Sequence, residues 1–521
     1  MKQTLIEEWG KPKMDKHFRL HLIQKYFLGA KDSQVQFHII SDKVCNDLDF
    51  DEVFRFVDRT VSKIGQQFLY YKLRCISSKE HLYDFDKKVE SFSNNPEFRI
   101  RVQLLFAALG KNDAYHLQAL IHNRHLNKPK RYMLVKLLVA AAFALPVLAI
   151  FKPVLILLLI PVFTINLILH YSNKSNIEQY LDGVSQLNKC LKIGHKLSAM
   201  PEIKSMYHDF DFLRKLDRIR FRSRFISFDK SLGDEFSILF LFVIEVFKSF
   251  FNIEYVIFYS FIDQIVKEKD SIDQLFRLIG ELDTAISTAS LKASDMMLCK
   301  PEFIDDKCIK ACDIIHPLIA DCTPNSFTLD SKSMLLTGSN MSGKTTFIRT
   351  VSINSILAQT LSLCFAKSFA APYFRLYSSI RLTDNLMEQT SYYLEEVLSI
   401  KALIDAADKE EHCLFVLDEI FKGTNTIERI SGGKAILAYL NKGKHMVFVS
   451  THDVELTVLL EQDDYALYHF SETVEDEKLH FDHKLKPGKL TTRNAIKILD
   501  LYNYPKEIIE DALKTERNFF Q

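Results

Sequence analysis

Gly338-Ser339-Asn340-Met341-Ser342-Gly343-Lys344-Thr345 reads G-x-x-x-x-G-K-[ST], the spacing of a phosphate-binding loop, and it decides the architecture of the chain's last third. The apolar run Met334-Leu335-Leu336 precedes it and Phe347-Ile348-Arg349 follows, so the order strand, loop, helix is expected. The glycines let backbone N–H groups turn inward at the positive end of the following helix. Lys344 is then placed to reach the β- and γ-phosphates of a nucleotide, and the Thr345 hydroxyl to ligate Mg²⁺. The competing reading is a chance match in a glycine-rich turn. It is weak, because the chain has only 15 glycines in 521 residues.

A second half of the site follows about seventy residues later, in Cys413-Leu414-Phe415-Val416-Leu417-Asp418-Glu419. An apolar run ending in two carboxylates reads as a buried parallel strand delivering acids to the carboxyl edge of a sheet. Asp418 is expected to hold Mg²⁺ through water, and Glu419 to orient and deprotonate the water that attacks the γ-phosphate. A third apolar run, His445 to Thr451, delivers His452 to the same edge, within reach of the γ-phosphate.

Several details resemble one family. Thr337 to Thr346 is similar to the T-G-x-N-M-x-G-K-[ST]-T of the MutS mismatch-repair ATPases, with the Asn340-Met341 pair as the distinguishing part. Leu417 to Thr426 resembles that family's L-D-E-x-x-x-G-T-x-T, and Ser450 to Thr457 its A-T-H-x-x-E-L-T. Ala358-Gln359 stands at the family's A-Q pair and His316-Pro317 at its H-P. Upstream, Asp58-Arg59-Thr60 with Gly65 resembles the start of the family's core domain, and Glu281-Leu282-Asp283 a motif late in it.

The resemblance implies an ATP and Mg²⁺ site made of Gly338, Ser339, Asn340, Met341, Ser342, Gly343, Lys344, Thr345, Thr346 and Gln359. It assigns Glu419, His452 and Lys344 to catalysis, and Thr345 with Asp418 to the metal. It also implies a homodimer in which a serine from each subunit reaches the other's γ-phosphate. Ser391-Tyr392-Tyr393-Leu394-Glu395-Glu396 fits the family's S-x-[FY]-x-x-E, which makes Ser391 the contact in trans. One departure is that Glu388 and Gln389 stand where the family usually has glycines. The family's mismatch reader is an N-terminal domain with a phenylalanine wedge in an F-x-E motif, inserted at a kinked base step. Only about fifty residues precede the core-like segment here, so neither reader nor F-x-E is expected.

Composition constrains partners. Basic and acidic side chains balance, 67 against 66, so DNA contacts must come from local patches on backbone and shape. The nine cysteines form no C-x-x-C pair, and the closest group, Cys308, Cys312 and Cys322, lacks zinc-site spacing. They read as reduced thiols.

Met133 to Phe151 and Val154 to Leu169 are almost wholly apolar, split by Lys152-Pro153. One helix of that length would run roughly 55 Å, well beyond a hydrocarbon core of about 30 Å. Two spans joined by a tight turn fit better than a buried soluble hairpin, which would show polar residues at helical spacing. Arg124, Lys128, Lys130, Arg131 and Lys174 flank the outer ends, while the turn has only Lys152, placing both ends and the ATPase in the cytoplasm. Met1 to Gly10 has no apolar core, so no signal peptide is expected. A second apolar tract, Phe236 to Ile262, is interrupted by Glu245, Lys248, Asn252 and Glu254 and reads as a packed lever helix, with membrane-surface contact as the alternative.

The expected fold is therefore mixed. An all-α core and lever region carries a transmembrane helical hairpin, and an α/β P-loop NTPase domain of ABC/MutS type with a C-terminal helical segment follows. The divisions are 1–132 (helical, start of the core), 133–169 (hairpin), 170–300 (core and lever), 301–480 (ATPase) and 481–521 (helical dimerisation segment, including Lys486-Pro487-Gly488 and Thr491 to Asn494). The expected function is a membrane-anchored, dimeric, ATP-switched clamp on DNA, without the mismatch-reading domain. A membrane-tethered ATPase switch acting on a protein partner is the alternative. A transporter is disfavoured, because two spans per chain make too few helices for a translocation pathway.

Overall fold

The computed structural model describes residues 1–13, 18–32, 35–122, 132–226, 250–251, 262–339, 341–381, 392–421, 424–475, 478–490, 499, 502 and 504–519. Asn340, Ser391, Glu388 and Gln389, Thr491 to Asn494, the basic flank from Arg124 to Arg131 and most of the 236–262 tract lie outside them. The chain divides into two units. The first takes in Met1–Val35, Asp58–Lys72 and Lys87–Ser294, and the second Gln36–Val57, Leu73–Asp86 and Asp295–Gln521.

The first unit is helical in its described residues. Its helix Lys269–Lys292 is buried over most of its length from Ser271 to Leu291, where apolar and small residues predominate, and Asp273, Arg277 and Glu281, four residues apart, line its one partly exposed face. Tyr26, from the helix Leu20–Ala30, stacks on Phe276 at 4.0 Å between ring centres and meets Tyr71 edge-on at 5.4 Å. The two core-like motifs meet here. Asp283 accepts from Val61 N (3.0 Å), Ser62 N (2.7 Å) and Ser62 Oγ (2.6 Å). Gly65 lies so close that an added Cβ would stand 2.1 Å from Asp283 Oδ2, so no larger residue fits without movement. Burial pushes the Asp283 carboxyl up to about 6, against the pull of its three donors. Glu281 is partly buried, but there Lys88 (2.9 Å) and the Tyr207 hydroxyl (2.7 Å) outweigh burial and hold the carboxyl below its ordinary value.

The apolar stretch forms a helix, Tyr132–Phe151, broken at Lys152, then a 3₁₀ segment, Pro153–Leu158, and a forty-residue helix, Leu159–Ser198, that passes residue 169 without interruption. Among the described residues, Tyr132–Phe151 is the one helix long and apolar enough to cross a membrane, with a mean hydropathy of 2.5 over its most apolar 18-residue window; Pro153–Leu169 is a shorter apolar run. Phe251 packs its ring on Phe143 (4.4 Å) and Phe250 on Phe163 (5.2 Å), while Asn166 Nδ2 donates to Phe250 O (2.9 Å).

The second unit is α/β. Its strands are β1 (His38–Ile39), β2 (Cys75–Ile76), β3 (Glu302–Phe303), β4 (Cys308–Ile314), β5 (Asn325–Asp330), β6 (Ser333–Thr337), β7 (Ser368–Ala371), β8 (Arg375–Ser379), β9 (Cys413–Asp418), β10 (Met446–Thr451), β11 (Tyr465–His469), β12 (Glu472–Glu475), β13 (Lys478–Phe481) and β14 (Lys486–Pro487). The helices of this unit used below are α1 (Asp42–Asp47), α2 (Phe50–Val57), α3 (Lys344–Leu361), α4 (Tyr392–Lys409), α5 (Thr426–Leu440) and α6 (Val454–Leu460). One sheet has the order β14-β11-β6-β10-β9-β8, parallel except for β14, and a second has the order β3-β7-β4-β5. β6 and β10 are buried at every residue and β9 at all but Asp418, which explains their unbroken apolar runs. Leu335, Phe415, Leu417, Val447 and Val449 pack with Leu437, Leu440 and Leu456 on one face of the sheet.

Sequence reasoning did not assign residues 36–57 and 73–86 to this unit. Asp47, at the end of α1, shows what they do. Its buried carboxylate accepts from Ser378 Oγ (2.6 Å), Ile380 N (3.1 Å) and Arg381 N (2.9 Å), fixing the carboxyl end of β8. One expectation needs correction. Phe50-Asp51-Glu52, at the start of α2, does spell F-x-E. Phe50 is 2% exposed, however, so its ring is a core side chain and not a wedge offered to DNA.

Candidate nucleotide-binding site

Register alone brings the site together. Thr451 of β10 pairs with Thr337 of β6, and Ser450 of β10 with Asp418 of β9. The residues that follow, Gly338, Glu419 and His452, therefore leave the same carboxyl edge side by side, where an open parallel sheet binds its ligands.

The loop after β6 folds on itself. Gly338 has φ +152°, and an added Cβ would stand 2.7 Å from Ser342 Oγ and 2.9 Å from Phe470 O. Gly343, at φ +105°, is the left-handed residue that turns the chain into α3. Ser342 Oγ donates to Ser339 O (2.8 Å), and Ser339 Oγ to Glu472 Oε2 (2.9 Å). Lys344 is buried, its Nζ donating to Gly338 O (2.7 Å) and Ser339 O (2.8 Å) across the loop.

The acids are held by hydroxyls. Thr345 Oγ1 donates to Asp418 Oδ2 (2.7 Å) and Ser450 Oγ to Asp418 Oδ1. Glu419 N donates to Ser450 O (2.8 Å), and Glu419 Oε1 lies 2.7 Å from His452 Nε2. Glu419 has φ +56° and Phe421 φ +58°, two non-glycine residues in the left-handed region within three positions. Such backbone is costly, on the order of 1–3 kcal/mol each, and clusters where function demands a fixed side-chain direction. Two further contacts brace the edge. Asn425 Oδ1 accepts from Glu428 N (3.0 Å) to cap α5, and Arg429 of α5 grips Asp453 with both Nε (2.9 Å) and Nη2 (2.7 Å), fixing the residue after His452.

A cleft of about 270 Å³ opens beside the loop, lined by Met341, Gly343, Lys344, Thr345 and Thr346 on one side and by Ile314, Ile319, Cys322, Asn325, Phe470 and His483 on the other. His483 Nδ1 donates to Ser342 O (3.0 Å), and Asn325 secures the His483 segment through His483 O (3.1 Å) and Leu485 N (2.7 Å). Sequence reasoning missed this far wall. The faint signals were His316-Pro317, three residues before Ile319, and Lys486-Pro487-Gly488, just after His483. His316 itself is buried; burial, aided by the charge of Arg349, lowers it to about 4, so it is neutral, and its Nδ1 accepts from Leu318 N (3.3 Å).

Of the residues expected in the site, the structure brings together Gly338, Ser339, Met341, Ser342, Gly343, Lys344, Thr345, Thr346, Asp418, Glu419 and His452. Gln359 is not among them. It lies fifteen residues along α3 from Lys344, roughly 22 Å away. There its backbone O accepts from Tyr373 Oη (3.2 Å) and its Oε1 from Phe374 N. The donors offered to a metal, a hydroxyl from Thr345 and a carboxylate from Asp418, are hard oxygens, and they suit Mg²⁺, which keeps waters and phosphate oxygens as its remaining ligands.

Comparison with known proteins agrees with this geometry. Residues 334–519 match the family described as MutS domain V. The chain is 29% identical over 276 residues to DNA mismatch repair protein MutS from Staphylococcus aureus strains JH9, Newman and N315, an alignment covering 50% of this chain and 31% of each relative. The chain thus spans about a third of the length of the curated relatives it matches. The phosphate loop, both acids and His452 all lie inside the matched segment, and it is through residues 334–519 that this chain is similar to the MutS family.

Proposed function

We propose that this chain binds and hydrolyses ATP at the sheet edge, works as a dimer on DNA, and is held at a membrane by residues 133–169. The observation that carries the catalytic part is the convergence of Lys344, Thr345, Asp418, Glu419 and His452 from three strands in register. Lys344 supplies positive charge at the loop, where the β- and γ-phosphates would lie, and the backbone of Gly338 to Gly343 wraps them. Mg²⁺, held by Thr345 and Asp418, would neutralise charge on the phosphate oxygens. Glu419 accepts the proton of the attacking water, and His452 orients that carboxylate. The base would lie in the cleft beside Ile319 and His483. Ser391 is proposed to complete the partner subunit's site.

DNA is carried over from the relatives' name, and with a formal net charge of +1 it would be gripped through local backbone contacts. The membrane part is supported by exposure. Met133, Leu137, Ile150, Phe151, Val154, Ile160 and Ile168 are each at least 63% exposed. Tyr132–Phe151 spans about 30 Å. Pro153–Leu169 reaches about 28 Å, because its first six residues rise about 2.0 Å each as a 3₁₀ segment. Both match a hydrocarbon core of about 30 Å. ATP turnover by the detergent-solubilised chain tests the enzyme, and the salt dependence of binding to a DNA duplex tests the partner. Affinity falling steeply with salt supports DNA, and no binding at low salt points to a protein partner instead.

A further inference from the structure

We propose that Cys299 and Cys364 are a peroxide-reactive thiol pair that closes to a reversible disulfide. The two residues face each other across an isolated antiparallel bridge in the second unit. Cys299 N donates to Cys364 O at 2.9 Å, and Cys364 N donates back to Cys299 O at 2.9 Å. A pair that exchanges both bonds has its α-carbons about 5.5 Å apart, inside the roughly 4.4–6.8 Å that a disulfide spans. Both side chains leave the same face, with the two thiols near enough to shift each other's acidity, and the Cys364 thiol donates to Asn354 O (3.6 Å).

The two thiols differ in the way an attacking and a resolving cysteine must. Cys299 is partly exposed, and the adjacent Cys364 thiol, which can turn its proton to a Cys299 thiolate, joined by the Phe369 backbone, holds it below the ordinary thiol value against the opposing effect of burial. Cys364 is fully buried, and burial pushes it up. Burial also pushes Cys45, Cys190, Cys308 and Cys413 up, so they are poor nucleophiles. Low thiolate cost, access and an adjacent second thiol are the conditions for a sensing cysteine.

The oxidant is a hydroperoxide. The Cys299 thiolate attacks one peroxide oxygen, the O–O bond breaks, and the other oxygen leaves as hydroxide, which takes up the thiol's proton as water. Cys364 sulfur then attacks the Cys299 sulfenic sulfur. The S–S bond forms, the S–O bond breaks, and a second water carries away the Cys364 proton. Two thiols are oxidised by two electrons and one hydrogen peroxide is reduced to two waters.

The closed form would tie residue 299 to the end of the helix that begins at Lys344. Cys364 follows α3 by three residues, and Asn354 of that helix fixes its surroundings, Oδ1 accepting from Phe365 N (2.6 Å) and Nδ2 donating to Ile315 O (3.2 Å).

The test uses the full chain, purified reduced, treated with a tenfold excess of hydrogen peroxide, alkylated and digested with trypsin. Segments 293–307 and 350–367 each contain one cysteine, so their cross-linked mass identifies the bond. The expected result is that cross-link as the main product, lost with dithiothreitol. Cys364→Ser is expected to leave a Cys299 sulfenic acid that dimedone traps, and Cys299→Ser, at the partly exposed position, to abolish both products while melting within a few degrees of the parent. The proposal is overturned if Cys299 is alkylated after peroxide as fully as before it. It is equally overturned if the partly exposed Cys312 and Cys322 oxidise first.

Discussion

His452 Nε2 lies 2.7 Å from Glu419 Oε1 and 3.4 Å from Lys344 Nζ, so one ring nitrogen stands between the proposed base and the phosphate-loop cation. A single nitrogen cannot donate to a carboxylate and accept from an ammonium at once. The shorter contact makes it the donor to Glu419, which holds that carboxylate in place without consuming its basicity for the water. Glu419→Gln keeps the shape and loses the proton acceptor. We expect ATP binding to be retained while turnover falls by about 10²–10⁴. Single-turnover hydrolysis beside nucleotide binding checks this; turnover within a few fold of the parent would pass the role of base to His452.

Lys344→Ala removes the buried ammonium that spans Gly338 O and Ser339 O. The loop loses its internal bridge and the phosphates lose their nearest cation, so ATP affinity should drop beyond detection in a fluorescence titration. Retained affinity would take the loop out of the site.

Local order along the chain made the phosphate loop, the acids and His452 legible, because each sits at the end of an apolar run whose spacing names its own element. What could not be read is what folding brings in from a distance. Asp47 anchors β8 from more than three hundred residues away, and Asn325 and His483 wall the cleft with no motif of their own. Gln359 shows the reverse error. A motif position was carried into the site by resemblance, while the helix rise of about 1.5 Å per residue puts it at the far end of α3. Phe50-Asp51-Glu52 carries the letters of the wedge motif, and the burial of Phe50 shows why the letters carry no wedge.

Two histidines of the second unit set a pH dependence. Burial holds both His316 and His38 at about 4, well below the roughly 6.5 of an unfolded chain. Between those values the unfolded chain takes up protons that the folded one refuses. Their contribution to stability is therefore complete above about 6.5, falls as the pH drops towards 4, and is flat below that. Each histidine contributes a slope of about 1.4 kcal/mol per pH unit in this window. His316→Asn keeps an acceptor for Leu318 N and should lower proton uptake on unfolding at pH 5 by about one. Denaturant melts at a series of pH values measure it, and an unchanged slope would show that His316 is protonated in the folded chain.

The meeting of Gly65 and Asp283 is open to a double-mutant cycle. Gly65→Ala places a methyl 2.1 Å from Asp283 Oδ2, and overpacking of that kind costs about 1–3 kcal/mol. Asp283→Ala leaves Val61 N and Ser62 N without their acceptor, at about 2–4 kcal/mol. Because the second change removes the two nearest of the atoms that the first collides with, Oδ2 and Cγ, and leaves only Asp283 Cβ at 2.7 Å, the double variant should be more stable than the sum predicts. Additive losses in denaturant unfolding would mean that the two residues do not touch.

The hairpin is the sharpest test of the membrane reading. Phe151, Val154 and Ile150 are each at least 76% exposed, in a run of 37 residues from Met133 to Leu169 with two charged side chains, Lys136 and Lys152. Each CH₂ left in water costs about 0.8 kcal/mol, so such a surface is expected to insert into lipid or to aggregate. Deleting 133–169 and bridging the gap with a short polar linker should move the protein from the membrane pellet to the soluble fraction. The phosphate loop begins about 170 residues downstream, in the second unit, so ATP binding should survive the deletion. Fractionation together with nucleotide titration of the variant reads both halves. A parent protein that is monodisperse without detergent would sink the membrane assignment, and a variant that is soluble but no longer binds ATP would show that the nucleotide site depends on the hairpin.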